Sequence, residues 1–428
     1  MAPRDFPETF LFGAATSSHQ VEGDNTNNDW WAWEARPGTI VDGGRSGRAA
    51  EWWDGRAEDD LARAASLGHN AHRMSLEWSR LEPEPGRFDP AAFDRYRAIL
   101  DAARRHGLRV SLTLYHFTLP RWAAQSGGWL DPALVHRFET FAGRAASELG
   151  DRVAQWATIN EPMILAYQSY GGTTWPPGRG DLRECYQVLA RLLDAHARAY
   201  RAIHRASRSP AKADVGLVLN LPAFFPSRES HPLDRAVTAA QDWAFNGVVL
   251  HALARDRLVP PLAYVPRAMP GLSRTYDWLG LNFYGAYEVR FDPRSPATLM
   301  GRHVQEPTIA FGHVDWGKPS PEGMCRQLER LAQLGVPLYV TENGIHDPKD
   351  ELRADYLISH LRALAGALRG GLDVRGYFVW SLIDNFEWAE GWGPRFGLLA
   401  LDRDTQARTP RASAQIFAEV CRSGRVGP

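Results

Sequence analysis

The feature that most constrains this chain is a repeated local form. A polar, amphipathic stretch closes on glycine, and a run rich in apolar and β-branched residues follows at once. "EDDLARAASLG" leads into "HNAHRMSL", "DPAAFDRYRAILDAARRHG" into "LRVSLTLYH", "DPALVHRFETFAGRAASELG" into "DRVAQWATIN", and "SPEGMCRQLERLAQLG" into "VPLYVTE". The first kind of stretch is a helix that buries one face; the second is a strand covered on both faces. Three helices are expected to open on a capping side chain followed by proline: Asp89-Pro90, Asp131-Pro132 and Ser320-Pro321. Proline in the first turn loses no hydrogen bond, and the preceding oxygen can accept from an orphan amide. Gly68, Gly107, Gly150 and Gly335 stand where a left-handed residue would close a helix.

Counting the apolar runs gives "FLFGAAT", "AHRMSL", "RVSLTLYH", "QWATIN", "DVGLVLNL", "WLGLNFY", "PLYVTE" and "GYFVWSL". Strands alternating with helices form a parallel sheet, and eight of them close into a barrel. The fold class is therefore α/β, a single (β/α)8 TIM barrel with extended βα loops, one catalytic domain over residues 1–428. The widest intervals between strands fall at residues 20–60 and 284–320. A doubly wound sheet is the competing architecture, but no G-x-G-x-x-G follows a strand here.

Such a barrel carries its chemistry where strands end and loops begin. Gln20 and Glu22 follow the first run, Arg73 and Glu77 flank the second, and His116 ends the third. Asn160 and Glu161 come at the fourth, Asn282 and Tyr284 at the sixth, Glu342 and Asn343 at the seventh, and Trp380 then Glu387 at the eighth. Glu161 in "TINEP" and Glu342 in "YVTENG" are on opposite sides of a closed ring. Paired carboxylates across a cleft are what glycosidic cleavage needs: one protonates the leaving oxygen while the other attacks the anomeric carbon. The 16 tryptophans fit a ring-lined cleft.

Other classes are disfavoured. With a net charge of −1 and basic residues scattered among acids, no field exists to attract nucleic acid or an anionic membrane. No apolar run is long enough to span a bilayer, and "MAPRDFPETFLFGAAT" lacks the pattern of a secretory signal. Three cysteines, odd in number and far apart, suit a reducing, cytoplasmic setting. No H-e-x-x-H or clustered Cys/His spacing suggests a metal.

The motifs together resemble the retaining β-glucosidase and β-galactosidase family, glycoside hydrolase family one. "FLFGAATSSHQVEGD", "EWSRLEP", "HFTLPRW", "TINEP", "VTENG" and "WSLIDNFEW" with "RFGL" are similar to its signatures, in the same order and across nearly the whole chain. The resemblance implies hydrolysis of terminal β-D-glucosides, with galactosides and fucosides as further substrates, by double displacement without cofactor or metal. The partner would be a small β-glycoside or oligosaccharide. Glu342 would be nucleophile and Glu161 general acid/base. Gln20, His116, Asn160, Asn282, Glu387 and Trp388 would contact the sugar, with Trp380 as stacking floor. Tyr284 would steady Glu342, and Arg73 would keep it ionised. Mainly transglycosylating chemistry, or a non-catalytic sugar-binding barrel, are the alternatives. Two departures concern the leaving group: the order Trp316-Gly317 reverses the usual Gly-Trp, and "GGTTWPPG" departs from the usual Ala-Pro-Gly ending. The wall beside the leaving group is thus expected to be rebuilt or moved.

Overall fold

The computed structural model describes residues 4–207, 213–304, 312 and 315–427. Eight parallel strands form a closed ring: β1 (Leu11–Ala15), β2 (Ala71–Ser75), β3 (Arg109–Tyr115), β4 (Gln155–Asn160), β5 (Val215–Asn220), β6 (Trp278–Phe283), β7 (Leu338–Asn343) and β8 (Val374–Trp380). The ring closes because β1 pairs with both β2 and β8, Gly13 beside Ala71 and Phe12 beside Tyr377. Every expected strand is found.

Helices fill the intervals: α1 (Ala57–Ser66), α2 (Pro90–Arg105), α3 (Ala133–Leu149), α4 (Leu182–Ala206), α5 (Pro232–Asp242), α6 (Pro321–Ala332), α7 (Arg353–Arg369) and α8 (Ala412–Ser423). The proline-led starts hold. Asp89 accepts from the Ala91 amide at 2.9 Å, Asp131 from Ala133 at 2.9 Å, and Ser320 from Gly323 at 3.0 Å. Gly68, Gly107 and Gly335 are left-handed, with φ of 81°, 74° and 76°. Gly150 is not. It keeps right-handed geometry, φ −62°, and still donates to the Ala146 carbonyl at 3.0 Å. A Cβ there would lie 2.5 Å from that oxygen, so close approach and not handedness explains this glycine. Among the described residues, no helix is long and apolar enough to cross a membrane.

Inside the ring, large rings meet small residues. Trp278, Tyr339, Phe378 and Trp380 pack with Ala15, Ala71, Ala157 and Val218. A much larger apolar layer lies between strands and helices. The barrel interior is therefore filled, and only its strand-end face is open to chemistry. The long interval after β6 holds more than loop: Ala286–Phe291 pairs with Ala223–Pro226 and with Gly301–Val304, forming a three-stranded sheet beside that face.

Candidate active site

Strand ends deliver the site. β4 ends on Asn160, and the chain then turns sharply at Glu161, whose backbone is left-handed at φ 45°. Phe117 and Trp388, which also line the pocket, have φ of 73° and 51°. Such conformations cost roughly 1–3 kcal/mol each in a residue other than glycine, and they persist only where the surroundings fix them. Five rings surround Trp388. His19 and His116 stack on it at 5.9 and 6.0 Å, and Trp30, Phe117 and Trp175 pack around it at 4.8–5.7 Å.

Glu161 and Glu342 line one pocket but have different partners. Glu342 Oε1 accepts from the buried Arg73 guanidinium, and its Oε2 accepts from the Tyr284 hydroxyl at 2.5 Å. Arg73 also donates to Asn160 Oδ1 at 2.6 Å, so one cation holds two strand ends together. Among the described residues, the hydrogen-bond partners of Glu161 are neutral: Asn282 Nδ2 at 2.7 Å and Asn220 Nδ2 at 3.0 Å, both on Oε1. Asn282 itself is held by the Thr341 hydroxyl at 2.7 Å.

The electrostatics follow from those partners. Burial, then the charge of Glu342, push the Glu161 carboxyl up to about 8. Burial also raises Glu342, but Arg73 and the Tyr284 hydroxyl oppose that rise. Burial thus contributes more to the Glu161 shift than the neighbouring charge does. His116 is held well below its ordinary value, by burial first and Arg73 second, and is neutral. Its Nε2 lies 3.2 Å from Asn160 Nδ2.

The loop after β8 divides its two carboxylates. Glu387 faces the pocket, accepts from Gln20 Nε2 at 3.1 Å, and is raised to about 8 by burial and then by Glu342. Gln20 is fixed in turn by Asn385 at 2.9 Å and Ser17 at 2.5 Å. Asp384 turns away into an ion pair with Arg411, at 2.7 and 3.0 Å, with Arg395 at 3.9 Å. Trp380 ends β8 on the pocket wall and stacks on His116 at 6.2 Å.

Gln20, Arg73 and Asn282 lie behind the pocket lining and reach it through Glu387, Glu342 and Glu161, and three further strand-end residues bond elsewhere. Glu22 is tied to Arg80 at 3.0 Å and Tyr96 at 2.5 Å, and Glu77 to Ser79 at 2.7 Å and Thr118 at 3.0 Å. Asn343 points to the opposite side of β7 from Glu342, donating to the Phe283 carbonyl at 2.6 Å and Tyr356 at 2.8 Å. Sequence reasoning also passed over Asn220, the last residue of β5, although the rule that found the other strand ends applies equally to it. The reversed Trp316-Gly317 pair still leaves an indole in the wall. Trp316 lines the pocket and meets Phe396 edge-on at 5.2 Å.

With this geometry in hand, the likenesses to known proteins are specific. A family model described as glycosyl hydrolase family 1 matches residues 2–425. Beta-glucosidase A of Thermotoga maritima is 31% identical over 99% of both chains. A bifunctional beta-D-glucosidase/beta-D-fucosidase of Bifidobacterium breve is 33% identical, over 95% of this chain and 96% of its own. The solved structure of a beta-glycosidase from Pyrococcus horikoshii superposes with a TM-score of 0.89 at 37% identity, covering 100% of this chain and 97% of that one.

Proposed function

The chain belongs to glycosyl hydrolase family 1, and from that premise we propose that it hydrolyses terminal, non-reducing β-D-glucosides with Glu342 as nucleophile and Glu161 as general acid/base. It is a glycosidase, and its family's chemistry is retaining double displacement. Glu342 attacks the anomeric carbon while Glu161 gives a proton to the departing glycosidic oxygen. Water then donates its proton to Glu161 and attacks the same carbon, releasing Glu342. Two inversions restore the original configuration.

The observation that carries this assignment is the unequal company of the two acids. Glu342 has a guanidinium and a phenol, both of which favour a carboxylate. Glu161 has two amides and lies up at about 8, which favours the protonated acid at neutral pH. When Glu342 becomes an ester its charge disappears, and one of the two causes raising Glu161 goes with it. The acid of the first step can then serve as the base of the second.

Gln20, Glu387, His116, Asn160 and Asn282 would hold the sugar hydroxyls, and Trp380 with Trp388 its ring faces. Galactosides and fucosides extend the same reading, since the B. breve relative is named for fucosides as well as glucosides. One catalytic domain over residues 1–428, acting in the cytoplasm on a small glycoside, completes it. Three unpaired cysteines, Cys185, Cys325 and Cys421, support that location.

The test is Glu342→Gly. Turnover of an aryl β-glucoside is expected to fall by about four orders of magnitude or more, because the covalent step is lost. Azide should restore cleavage of an activated substrate by attacking from the vacated side, giving an α-glycosyl azide. Near-normal activity without azide would overturn the assignment.

A further inference from the structure

The sequence scatters its arginines among acids, yet the fold gathers four of them around one cleft in the helical layer. The cleft lies between α6 and two helices that follow β5, α5 and Val248–Arg255, and its volume is about 790 Å³. Arg235, Arg255, Arg326 and Arg330 line it together with His251. Among the described residues of its lining, Asp242 is the one acid.

Asp242 is already engaged. Arg330 donates to its two oxygens at 2.7 and 2.9 Å, and Asn246 donates to one of them at 2.8 Å. That forked pair shows how this wall holds a carboxylate. Arg326 lies over the Phe225 ring at 5.2 Å and donates to the Phe224 carbonyl at 3.4 Å. Among the described residues, Arg235, Arg255 and Arg326 form no ion pair. A guanidinium has five N–H donors, so each keeps several for a ligand. Like charges around one cavity also repel one another, and a bound anion would relieve that.

Much of the remaining wall is apolar: Phe224, Pro226, Trp243, Leu250 and Leu334, with the His251 ring edge-on to Trp243 at 5.8 Å. A bare inorganic anion would leave those rings uncovered, and a neutral ring would leave the cations unpaired. Phe224 and Trp243 also line the catalytic pocket, so the two cavities share a wall. They differ in charge. The described lining of the catalytic pocket holds five carboxyl groups and no arginine.

We propose that this cleft is a second ligand site and that it takes an aromatic carboxylate. The ring packs against Phe224, Trp243 and Leu250, and the carboxylate sits among the arginines. Such a ligand touches none of the reacting groups, so the inference stands independently of the glycosidase reading.

The test titrates 2-naphthoate into the full chain by calorimetry, beside its neutral counterpart 2-naphthalenemethanol and inorganic phosphate. Naphthoate should bind once per chain, at least about tenfold tighter than the alcohol or phosphate, and more weakly as salt rises. Arg326→Gln and, independently, Arg255→Gln should each weaken it about fivefold or more. Turnover of an aryl β-glucoside should be unchanged in both, because neither arginine lines the catalytic pocket. Equal binding of the alcohol or of phosphate would overturn the inference. So would no binding at millimolar naphthoate, or an affinity unmoved in either variant.

Discussion

At the floor of the pocket, side chains hold one another. Gln20 donates to Glu387, Asn282 to Glu161, and Arg73 with Tyr284 to Glu342. At the mouth, Trp243, Tyr186 and Tyr287 donate to backbone carbonyls and present their rings. A ligand at the floor must match fixed donors and acceptors among buried side chains, where each mismatch leaves a buried group unpaired. Changes at the floor are therefore expected to alter the chemistry by large factors, and changes at the mouth by small ones.

The largest break in that contrast should come from Glu161→Gly. An alkyl glucoside, whose leaving group needs a proton, is expected to lose about 10³-fold or more in kcat/KM. A dinitrophenyl glucoside needs no proton in the first step and should lose far less. Wild-type kcat/KM requires protonated Glu161, so it should decline as pH rises through about 8, and the variant should lack that limb. Equal losses on both substrates, with the limb intact, would move the acid elsewhere.

A smaller effect tests the carboxyl at Glu387, which is raised to about 8. A 6-phosphate on the sugar would bring a dianion into a pocket lined by five carboxyl groups, Glu161, Asp315, Glu342, Glu387 and Glu390, where it would oppose the ionisation of Glu387. The nearby Arg395 does not offset this, because it pairs with Asp384 beside Arg411. An aryl β-glucoside should be cleaved at least about 100-fold faster than its 6-phosphate. Preference for the phosphorylated sugar would remove Glu387 from its role.

The smallest effect is on stability. Glu161 is raised from its ordinary value near 4.5 to about 8, so the unfolded chain ionises there before the folded one does. Below pH 4.5 this costs the fold nothing; the cost grows as pH rises from 4.5 toward 8. Glu161→Gln should therefore be more stable than wild type by about 1–2 kcal/mol at pH 8, with no difference at pH 4, by denaturant titration. A destabilised variant at pH 8 would mean the floor is not strained by its own acids.

Much of the floor was legible because barrels repeat one rule. A polar residue directly after an apolar run points to the open face, and His116, Glu161 and Glu342 each follow it. The rule fails where one residue's difference changes the face. Asn343 sits beside Glu342 yet bonds the opposite side, and Asp384 parts from Glu387 because Arg411, distant in sequence, captures it. Glu22 and Glu77 lie at strand ends too, but Arg80, Tyr96 and Thr118 tie them beneath the pocket. The mouth was much less legible. "AYEVRF" alternates as a strand should, but its partners, Ala223–Pro226 and Gly301–Val304, are set by long-range pairing. Which faces of Tyr167, Leu182 and Trp243 remain open depends on three separate helical segments meeting.

The most direct test of the central claim is to trap the intermediate. A 2-deoxy-2-fluoro β-glucoside with a good leaving group slows both oxocarbenium-like steps, and its activated departure lets the first outrun the second. The protein should gain the mass of one fluorosugar, and the label should map to the peptide and residue of Glu342. A label on Glu161 or Glu387, or activity lost with no covalent adduct, would contradict the account.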